Sequence, residues 1–373
     1  MHLMQSPPSP ACLIDGREML YFVGTGYHCL QGHPAVLNAA GNALRQYGMG
    51  SGTSRGRFGT TPPLLDVEAA AAEFFGMEQS FYLPSGYVSA GLIARSLCDR
   101  FDRVFFDERT HYAVIDAARA CGRPCEPFAH RDPAALKQQI RRRIRAKEKV
   151  LVATDGVFPV LGTLAPLREY AEIARRHPGS AVLVDDAHAI GVLGENGRGT
   201  LEHLGLWDAA VNTDPERSTV LLCGTLSKAV GGFGGIIPGS RTFVDMMRRS
   251  ELFNGASALP PAVAAGTAEG LRVLMVHPEL RRRLLENAAM LKGRLGAMGL
   301  AIEPSPSPIA WLVVGDAANM QRIQQALWDR RIAIDYIPHY AGTGMHGGLR
   351  IAVFSRHTQE MIGRLVTELG QVL

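Results

Sequence analysis

The amino-acid sequence predicts an α/β protein with a mainly parallel, doubly wound sheet and a smaller α/β domain at its C-terminal end. Helical stretches alternate with short apolar runs rich in β-forming residues, which is the pattern of buried parallel strands and covering helices. The chain has 373 residues, of which 46% are hydrophobic, so it can bury a core of the size that such a sheet needs.

The elements of the large domain follow in chain order. Residues 1 to about 35 are rich in Pro and Gly and predict an irregular arm. Helices are predicted from Pro34 to Tyr47 and from Leu65 to Phe75. The predicted strands are Ser80 to Leu83, Arg103 to Phe106, Val150 to Thr154, Ala181 to Asp185 and Val220 to Gly224.

A long helical stretch follows Pro260-Pro261 and is broken near His277-Pro278, which predicts a connecting helix. Beyond it, Ala310 to Val314 and Leu349 to Val353 have the pattern of strands, separated by a helical run from Ala318 to Arg330. We therefore predict an arm over residues 1–37, a large domain over residues 38–262, and a connecting helix with a small domain over residues 263–373.

Charge and cysteine content exclude several classes of function. The net charge of +4 comes from 39 basic and 35 acidic residues spread along the chain, so nothing demands a nucleic acid or an anionic membrane. The run Arg141 to Arg145 is interpreted as a solvated helix face. Six cysteines without paired spacing indicate neither a disulfide framework nor a metal site. The absence of a leader pattern and of a run of about 18 apolar residues predicts a cytoplasmic protein without a membrane span.

Two segments carry the strongest chemical signal, and each begins where an apolar strand ends. The first contains Asp185 and His188, and the second contains Thr225 and Lys228. Groups at the carboxyl ends of parallel strands converge on one crevice. Pyridoxal phosphate needs a lysine for an imine, a carboxylate for the pyridine nitrogen, and donors for its phenolate and phosphate, and these four residues match those needs.

The segments DDAHAIGVLGENGRG (185–199) and TLSKAVGGFGG (225–235) closely resemble signatures of the α-oxoamine synthases, and the resemblance covers most of the chain. It implies a fold type I, aspartate aminotransferase-like enzyme with a seven-stranded sheet. It also implies a pyridoxal phosphate-dependent acyltransferase that condenses a small amino acid with an acyl thioester, on coenzyme A or a carrier protein, and releases carbon dioxide. A homodimer with a shared active site is implied as well.

The resemblance extends the candidate site beyond those two segments. It implies that Ser85, Gly86 and Tyr87 form a phosphate-binding turn, and that His111 stacks on the cofactor ring. By itself, His111 could equally cap a helix. The resemblance further implies that Ser257 reaches the cofactor of the neighbouring subunit, and that Arg350 holds the substrate carboxylate, although a strand arginine that only snorkels to solvent is the alternative.

The chain departs from the family pattern at four positions. Pro159 replaces a serine that bonds the cofactor phenolate, and Thr25 replaces an asparagine that helps to hold the substrate carboxylate. Leu64 replaces a histidine, and Ser89 replaces an asparagine after the phosphate-binding turn. These changes affect the choice of substrate more than the cofactor.

Two other functions stay open on the sequence. One is a different carbanion reaction on the same fold, namely transamination, aldol cleavage or simple decarboxylation. The other is a non-catalytic binding module, against which the retained Lys228, Asp185 and His188 argue.

Overall fold

The computed structural model describes residues 2–207, 211–340 and 343–373. Its strands are β1 (Ala11–Ile14), β2 (Arg17–Tyr21), β3 (Gln79–Leu83), β4 (Arg103–Asp107), β5 (Cys125–Phe128), β6 (Val150–Asp155), β7 (Ala181–Asp185), β8 (Val220–Thr225), β9 (Gly235–Gly239), β10 (Ile309–Leu312), β11 (Ile332–Ala333), β12 (Asp335–Ile337) and β13 (Gly348–Ala352). Its α-helices are α1 (Pro34–Tyr47), α2 (Pro62–Phe75), α3 (Ser89–Ser96), α4 (Tyr112–Ala120), α5 (Pro133–Arg143), α6 (Leu167–Arg175), α7 (Thr200–His203), α8 (Arg241–Arg248), α9 (Glu251–Gly255), α10 (Pro261–Val276), α11 (Glu279–Ala297), α12 (Ala317–Asp329) and α13 (Gln359–Gly370).

The centre of the molecule is a seven-stranded sheet with the order β3-β9-β8-β7-β6-β4-β5. The strands from β8 to β5 are parallel, whereas β9 runs antiparallel to both β3 and β8. The predicted mainly parallel, seven-stranded sheet is therefore confirmed. The strand bounds agree with the sequence prediction to within one residue at each end for β3, β4, β6, β7 and β8.

Helices cover both faces of this sheet. Successive strand residues point to opposite sides, and the apolar side chains on each side pack against helices. In β7, Leu183 packs into a core with α3, α4 and α8, whereas Val182 and Val184 pack into a second core with α5 and α6. Side chains buried on both faces explain why the parallel strands have continuous apolar sequences.

The N-terminal residues are not an irregular arm, so that expectation was wrong. β1 and β2 form an antiparallel hairpin around Asp15-Gly16, both of which have positive φ, of 50° and 72°. β2 also pairs in parallel with β11, and Cys12, Met19 and Phe22 are buried. The prolines and glycines of this region therefore flank a short sheet rather than form an irregular segment.

The C-terminal part contains the sheet β10-β13-β12, covered by α11, α12 and α13. The predicted break between two helices is confirmed, since α10 ends at Val276 and α11 begins at Glu279. None of the helices in the described ranges combines the length and the apolar composition that crossing a bilayer requires.

Candidate active site

A cavity of about 140 Å³ lies at the carboxyl ends of the parallel strands. Its walls come from the ends of β6, β7 and β8 and from the starts of α3 and α4. Eight residues singled out from the sequence line it together, namely Ser85, Gly86, Tyr87, His111, Asp185, His188, Thr225 and Lys228. Ala113, Asp155, Ala187 and Ser227 also line it, and sequence reasoning did not select them.

The hydroxyl groups of Ser85, Thr225 and Ser227 and the turn that leads into α3 form part of the cavity wall. Ser85 precedes the turn that leads into α3, and its Oγ accepts a hydrogen bond from the Tyr87 amide at 3.2 Å. The Thr225 and Ser227 hydroxyl oxygens lie 2.5 Å apart. Gly86 is required here, because a Cβ at this position would lie 2.6 Å from Thr225 Cβ. Such a set of donors suits a phosphate group.

Lys228 follows β8 in a tight turn that closes through the hydrogen bond from the Gly231 amide to the Lys228 carbonyl. Gly231 has a φ of 73° and lies against Leu30, so this turn requires a glycine. Burial lowers the pKa of the Lys228 amine below its ordinary value, and the carboxyl groups of Asp185 and Asp155 oppose that shift. The neutral, nucleophilic form of the amine is therefore more accessible than in water.

Asp185 ends β7 and is buried. Its Oδ1 accepts a hydrogen bond from the Ala187 amide at 3.0 Å. Burial raises the pKa of this carboxyl group, and the positive charge of Lys228 opposes the shift. The next residue, Asp186, is directed elsewhere, because its two carboxylate oxygens accept hydrogen bonds from the amide and the hydroxyl of Thr200. Only Asp185 of this pair lines the cavity.

His188 is held by a buried tyrosine that sequence reasoning missed. Tyr27 Oη lies 2.8 Å from His188 Nδ1, and Tyr27 is fully buried. Burial lowers the pKa of His188 well below its ordinary value, and the charges of Lys228 and Arg350 add to that effect. His188 is therefore neutral at physiological pH. Tyr27 follows a Gly-rich segment, and no pattern in the sequence marks it.

His111 lies at the first turn of α4. Its Nδ1 accepts a hydrogen bond from the Ala113 amide at 3.1 Å, so His111 caps the helix, which was the alternative to a cofactor role, and also lines the cavity. Burial, with the nearby charge of Lys228, lowers the pKa of His111 to about 4. The Tyr87 ring lies edge-on to the His111 ring, with a centroid separation of 5.9 Å.

Arg350 lies on β13 of the small sheet and is buried rather than directed to solvent. Its Nε donates to the Pro159 carbonyl at 3.0 Å and its Nη1 donates to the Gly24 carbonyl at 3.2 Å. The buried Nη2 has no partner among the described residues. Thr25 is half-buried beside Gly24, and neither Thr25 nor Arg350 is part of the wall of the 140 Å³ cavity.

The other predicted positions lie further from the cavity. Ser257 forms an isolated antiparallel bridge with Ser54 and is not among the residues that line the cavity. Leu64 is buried in the core beneath α2. Ser89 is buried at the start of α3, and its hydroxyl group lies 3.4 Å from the Ser85 carbonyl oxygen.

The donors and acceptors of the cavity fit pyridoxal phosphate. The wall combines the hydroxyl groups of Ser85, Thr225 and Ser227 with a buried carboxyl group at a strand end and a buried lysine whose pKa is lowered. The close approach of Gly86 to Thr225 forms a cradle that any larger residue would fill. A phosphate, a pyridine nitrogen and an aldehyde need this set of groups.

Comparisons with known proteins agree with this geometry. Residues 24–369 match the aminotransferase class I and II family model. The chain is 34% identical over 373 residues to the 8-amino-7-oxononanoate synthase of Methylococcus capsulatus, an alignment that covers 100% of this chain and 93% of that protein. It is 32% identical over 358 residues to 8-amino-7-oxononanoate synthase 1 of Bacillus subtilis, covering 96% and 88%.

A solved structure of serine palmitoyltransferase from S. paucimobilis, with a bound PLP-myriocin aldimine, matches with a TM-score of 0.91. The sequences are 28% identical, and the match covers 100% of this chain and 92% of that one. The chain therefore belongs to the α-oxoamine synthases of the aminotransferase class I and II family, pyridoxal phosphate-dependent transferases that condense an amino acid with an acyl thioester and release carbon dioxide.

Proposed function

We propose that this enzyme joins a small amino acid to an acyl thioester in the cavity between Lys228 and Asp185, with a division of roles among the residues that line it. The observation that supports the proposal is the convergence of a lysine, a buried carboxyl group, two neutral histidines and a set of phosphate donors in one cavity. When bound, pyridoxal phosphate supplies an electron sink for the negative charge left at the substrate α-carbon.

Lys228 Nζ anchors the cofactor in the resting enzyme and then carries the α-proton. Its lowered pKa supports the second role, because a general base must be neutral before it accepts a proton. Asp185 keeps the pyridine nitrogen protonated. His188, oriented by Tyr27, donates to the cofactor phenolate, and the neutral His111 ring covers the cofactor.

Ser85, Gly86, Tyr87 and Thr225 hold the phosphate, and Ser227 joins them because its hydroxyl lies beside that of Thr225. Ser257 serves the cofactor of the neighbouring subunit, so the enzyme acts as a homodimer. The position of Ser257 outside the cavity of its own subunit is consistent with that role. A strictly monomeric and fully active preparation in sedimentation would contradict the shared site.

Arg350 and Thr25 bind the α-carboxylate of the amino acid, and Thr25 directly follows Gly24, whose carbonyl oxygen accepts a hydrogen bond from Arg350. Two backbone carbonyls fix the guanidinium group, and the buried Nη2, which has no partner in the part of the chain that the structure describes, could donate to a carboxylate oxygen. We also propose a cytoplasmic location, which is consistent with six free cysteines.

The test is to incubate the purified holoenzyme with a panel of small amino acids and measure α-proton exchange, then add acyl thioesters. Release of a free thiol, carbon dioxide and an amino ketone is expected, with Lys228→Ala as the inactive control. Keto acid or aldehyde products without free thiol would show that another carbanion reaction takes place in this cavity.

A further inference from the structure

Asp155 is a second buried carboxyl group on the wall of the cavity. It ends β6, and the parallel register pairs it with Asp185 at the end of β7. Residues in register on neighbouring parallel strands lie about 4.8 Å apart and point to the same face of the sheet. Both residues line the cavity, and both are almost completely buried.

One oxygen of Asp155 holds the start of α4. Its Oδ2 accepts a hydrogen bond from the Thr110 hydroxyl and another from the His111 backbone amide, each at 2.7 Å. His111 is the residue that caps α4 and lines the cavity. The backbone position of His111 is therefore tied to the end of β6. Both of these hydrogen bonds are accepted by the same oxygen, Oδ2, and neither involves Oδ1.

Two adjacent carboxyl groups in a buried site do not both ionise readily, because each negative charge opposes the other. The groups that face Asp155 are Asp185 on β7, Cys223 on β8, Lys228 after β8, the His111 turn, and Tyr340 from the small domain. Within this set, the positive charge of Lys228 opposes the rise in the pKa of Asp155. Burial, together with the charge of Asp185, raises the pKa of Asp155 well above its ordinary value.

We propose that Asp155 is a positioning residue that stays protonated, fixes the His111 turn through Oδ2 and presents Oδ1 to the cavity as a neutral donor beside the charged Asp185. This inference rests on the proposed function, because it assumes that His111 covers the bound cofactor. It assigns the single negative charge at these two strand ends to Asp185. An amide has the same shape and donor-acceptor pattern as a protonated carboxyl group, so Asn should replace Asp155 but should not replace Asp185.

The experiment compares Asp155→Asn with Asp155→Ala as holoenzymes, without substrates. The dissociation constant of pyridoxal phosphate is measured by titration of the apoenzyme, and the visible band of the lysine-bound cofactor is titrated with pH. Asp155→Asn should bind the cofactor within about threefold of the unmodified enzyme and keep the pKa of the band. Asp155→Ala loses both hydrogen bonds to the His111 turn, so its dissociation constant should rise about 10- to 100-fold.

Asp107→Asn is the matched control. Asp107 is also a buried aspartate at a strand end, but it bonds Arg109, His130 and Arg131 away from the cavity. Its replacement should lower the melting temperature and leave the cofactor band and affinity unchanged, which separates positioning from general destabilisation.

Two results would overturn the inference. If Asp155→Asn lowers the pKa of the visible band by about 1 or more, then Asp155 is ionised in the enzyme, because removal of a nearby anion destabilises a protonated cation. If Asp155→Ala binds the cofactor as the unmodified enzyme does, then Asp155 positions nothing. These readouts use the cofactor alone, so they decide the role of Asp155 whatever amino acid or thioester the enzyme accepts.

Discussion

The candidate site has two halves, one assigned to the cofactor and one to the substrate carboxylate, and different parts of the chain form them. The cofactor half is formed by side chains at the ends of β6, β7 and β8, which one sheet holds in register, together with the residues that lead into α3 and α4. The half assigned to the substrate carboxylate consists of Arg350 from the small sheet and two backbone carbonyls, those of Gly24 and Pro159. The cofactor half therefore depends on residue identity, whereas the substrate half depends on how three distant segments meet.

This difference predicts that the two halves respond separately to mutation, and the largest effect is expected at Lys228. Lys228→Ala removes the amine that bonds the cofactor, so the visible absorbance band should disappear and α-proton exchange should fall to background. Spectra before and after borohydride reduction, with the unmodified enzyme alongside, measure this. A reducible lysine adduct in the variant would contradict the assignment of Lys228 as the lysine that bonds the cofactor.

Asp185→Ala should have the next largest effect. The variant should still bind the cofactor through the phosphate end of the cavity, yet its α-proton exchange should fall by several orders of magnitude, because an unprotonated pyridine is a poor electron sink. Exchange is followed by loss of the α-proton NMR signal in deuterated buffer. Normal exchange would show that another acid, of which Asp155 is the nearest, protonates the ring.

Arg350→Ala tests the substrate half. A charge-assisted pair between this guanidinium group and a carboxylate in a partly dry site contributes roughly 2 to 4 kcal/mol, so amino-acid binding should weaken about 30- to 1000-fold while cofactor binding stays near normal. Arg350→Lys should recover only part of the loss, because an ammonium group lacks the planar fork. Arg356→Ala, at an exposed position, is the control. An unchanged amino-acid dissociation constant in Arg350→Ala would show that another group binds the carboxylate.

The smallest effect on catalysis is expected at Asp186, the neighbour that bonds Thr200. Burial raises the pKa of Asp186 to about 7. Because the folded pKa lies above the unfolded value, protonation favours the fold, and this contribution is present below about pH 4 and lost as the pH rises to about 7. The Asp186→Asn variant cannot ionise at this position. The melting temperature of its apoprotein should therefore fall a few degrees less than that of the unmodified apoprotein over this pH range.

Thermal scans of the unmodified and Asp186→Asn apoproteins at several pH values measure this difference. If the melting temperatures of the two apoproteins change with pH in the same way, then the pKa of Asp186 does not differ between the folded and unfolded states as its burial implies. A large loss of α-proton exchange in the same variant would contradict the distinction between the two adjacent aspartates.

The sequence could group Asp185, Thr225 and Lys228 because buried parallel strands have continuous apolar runs, and the polar residues that end β7 and β8 line the cavity. The same rule would have found Asp155, which ends β6 as Asp185 ends β7. β5 was missed because it is an edge strand of four residues that contains Pro127, and proline is tolerated only at such positions.

β9 was missed because its sequence, GIIPG, has low β propensity and contains a proline. Pro238 is tolerated because β8 pairs with β9 only at Gly235 and Ile236. The N-terminal hairpin had a signal in Asp15-Gly16, a strong hairpin turn pair, which the Pro and Gly content around it obscured. The carbonyl contacts of Arg350 have no sequence signal, since any residue supplies a carbonyl.

The pairing of β2 with β11 joins residues that are more than 300 positions apart in the chain. During synthesis, at about 5–20 residues per second, the N-terminal hairpin therefore waits roughly 15–60 s before its partner strand leaves the ribosome. Throughout that interval the edge of β2 exposes unpaired amides and carbonyls, which are a template for wrong pairing. The β2 strand is thus synthesised long before its final neighbour, so a nascent chain that has formed this hairpin exposes an unpaired strand edge until β11 is made.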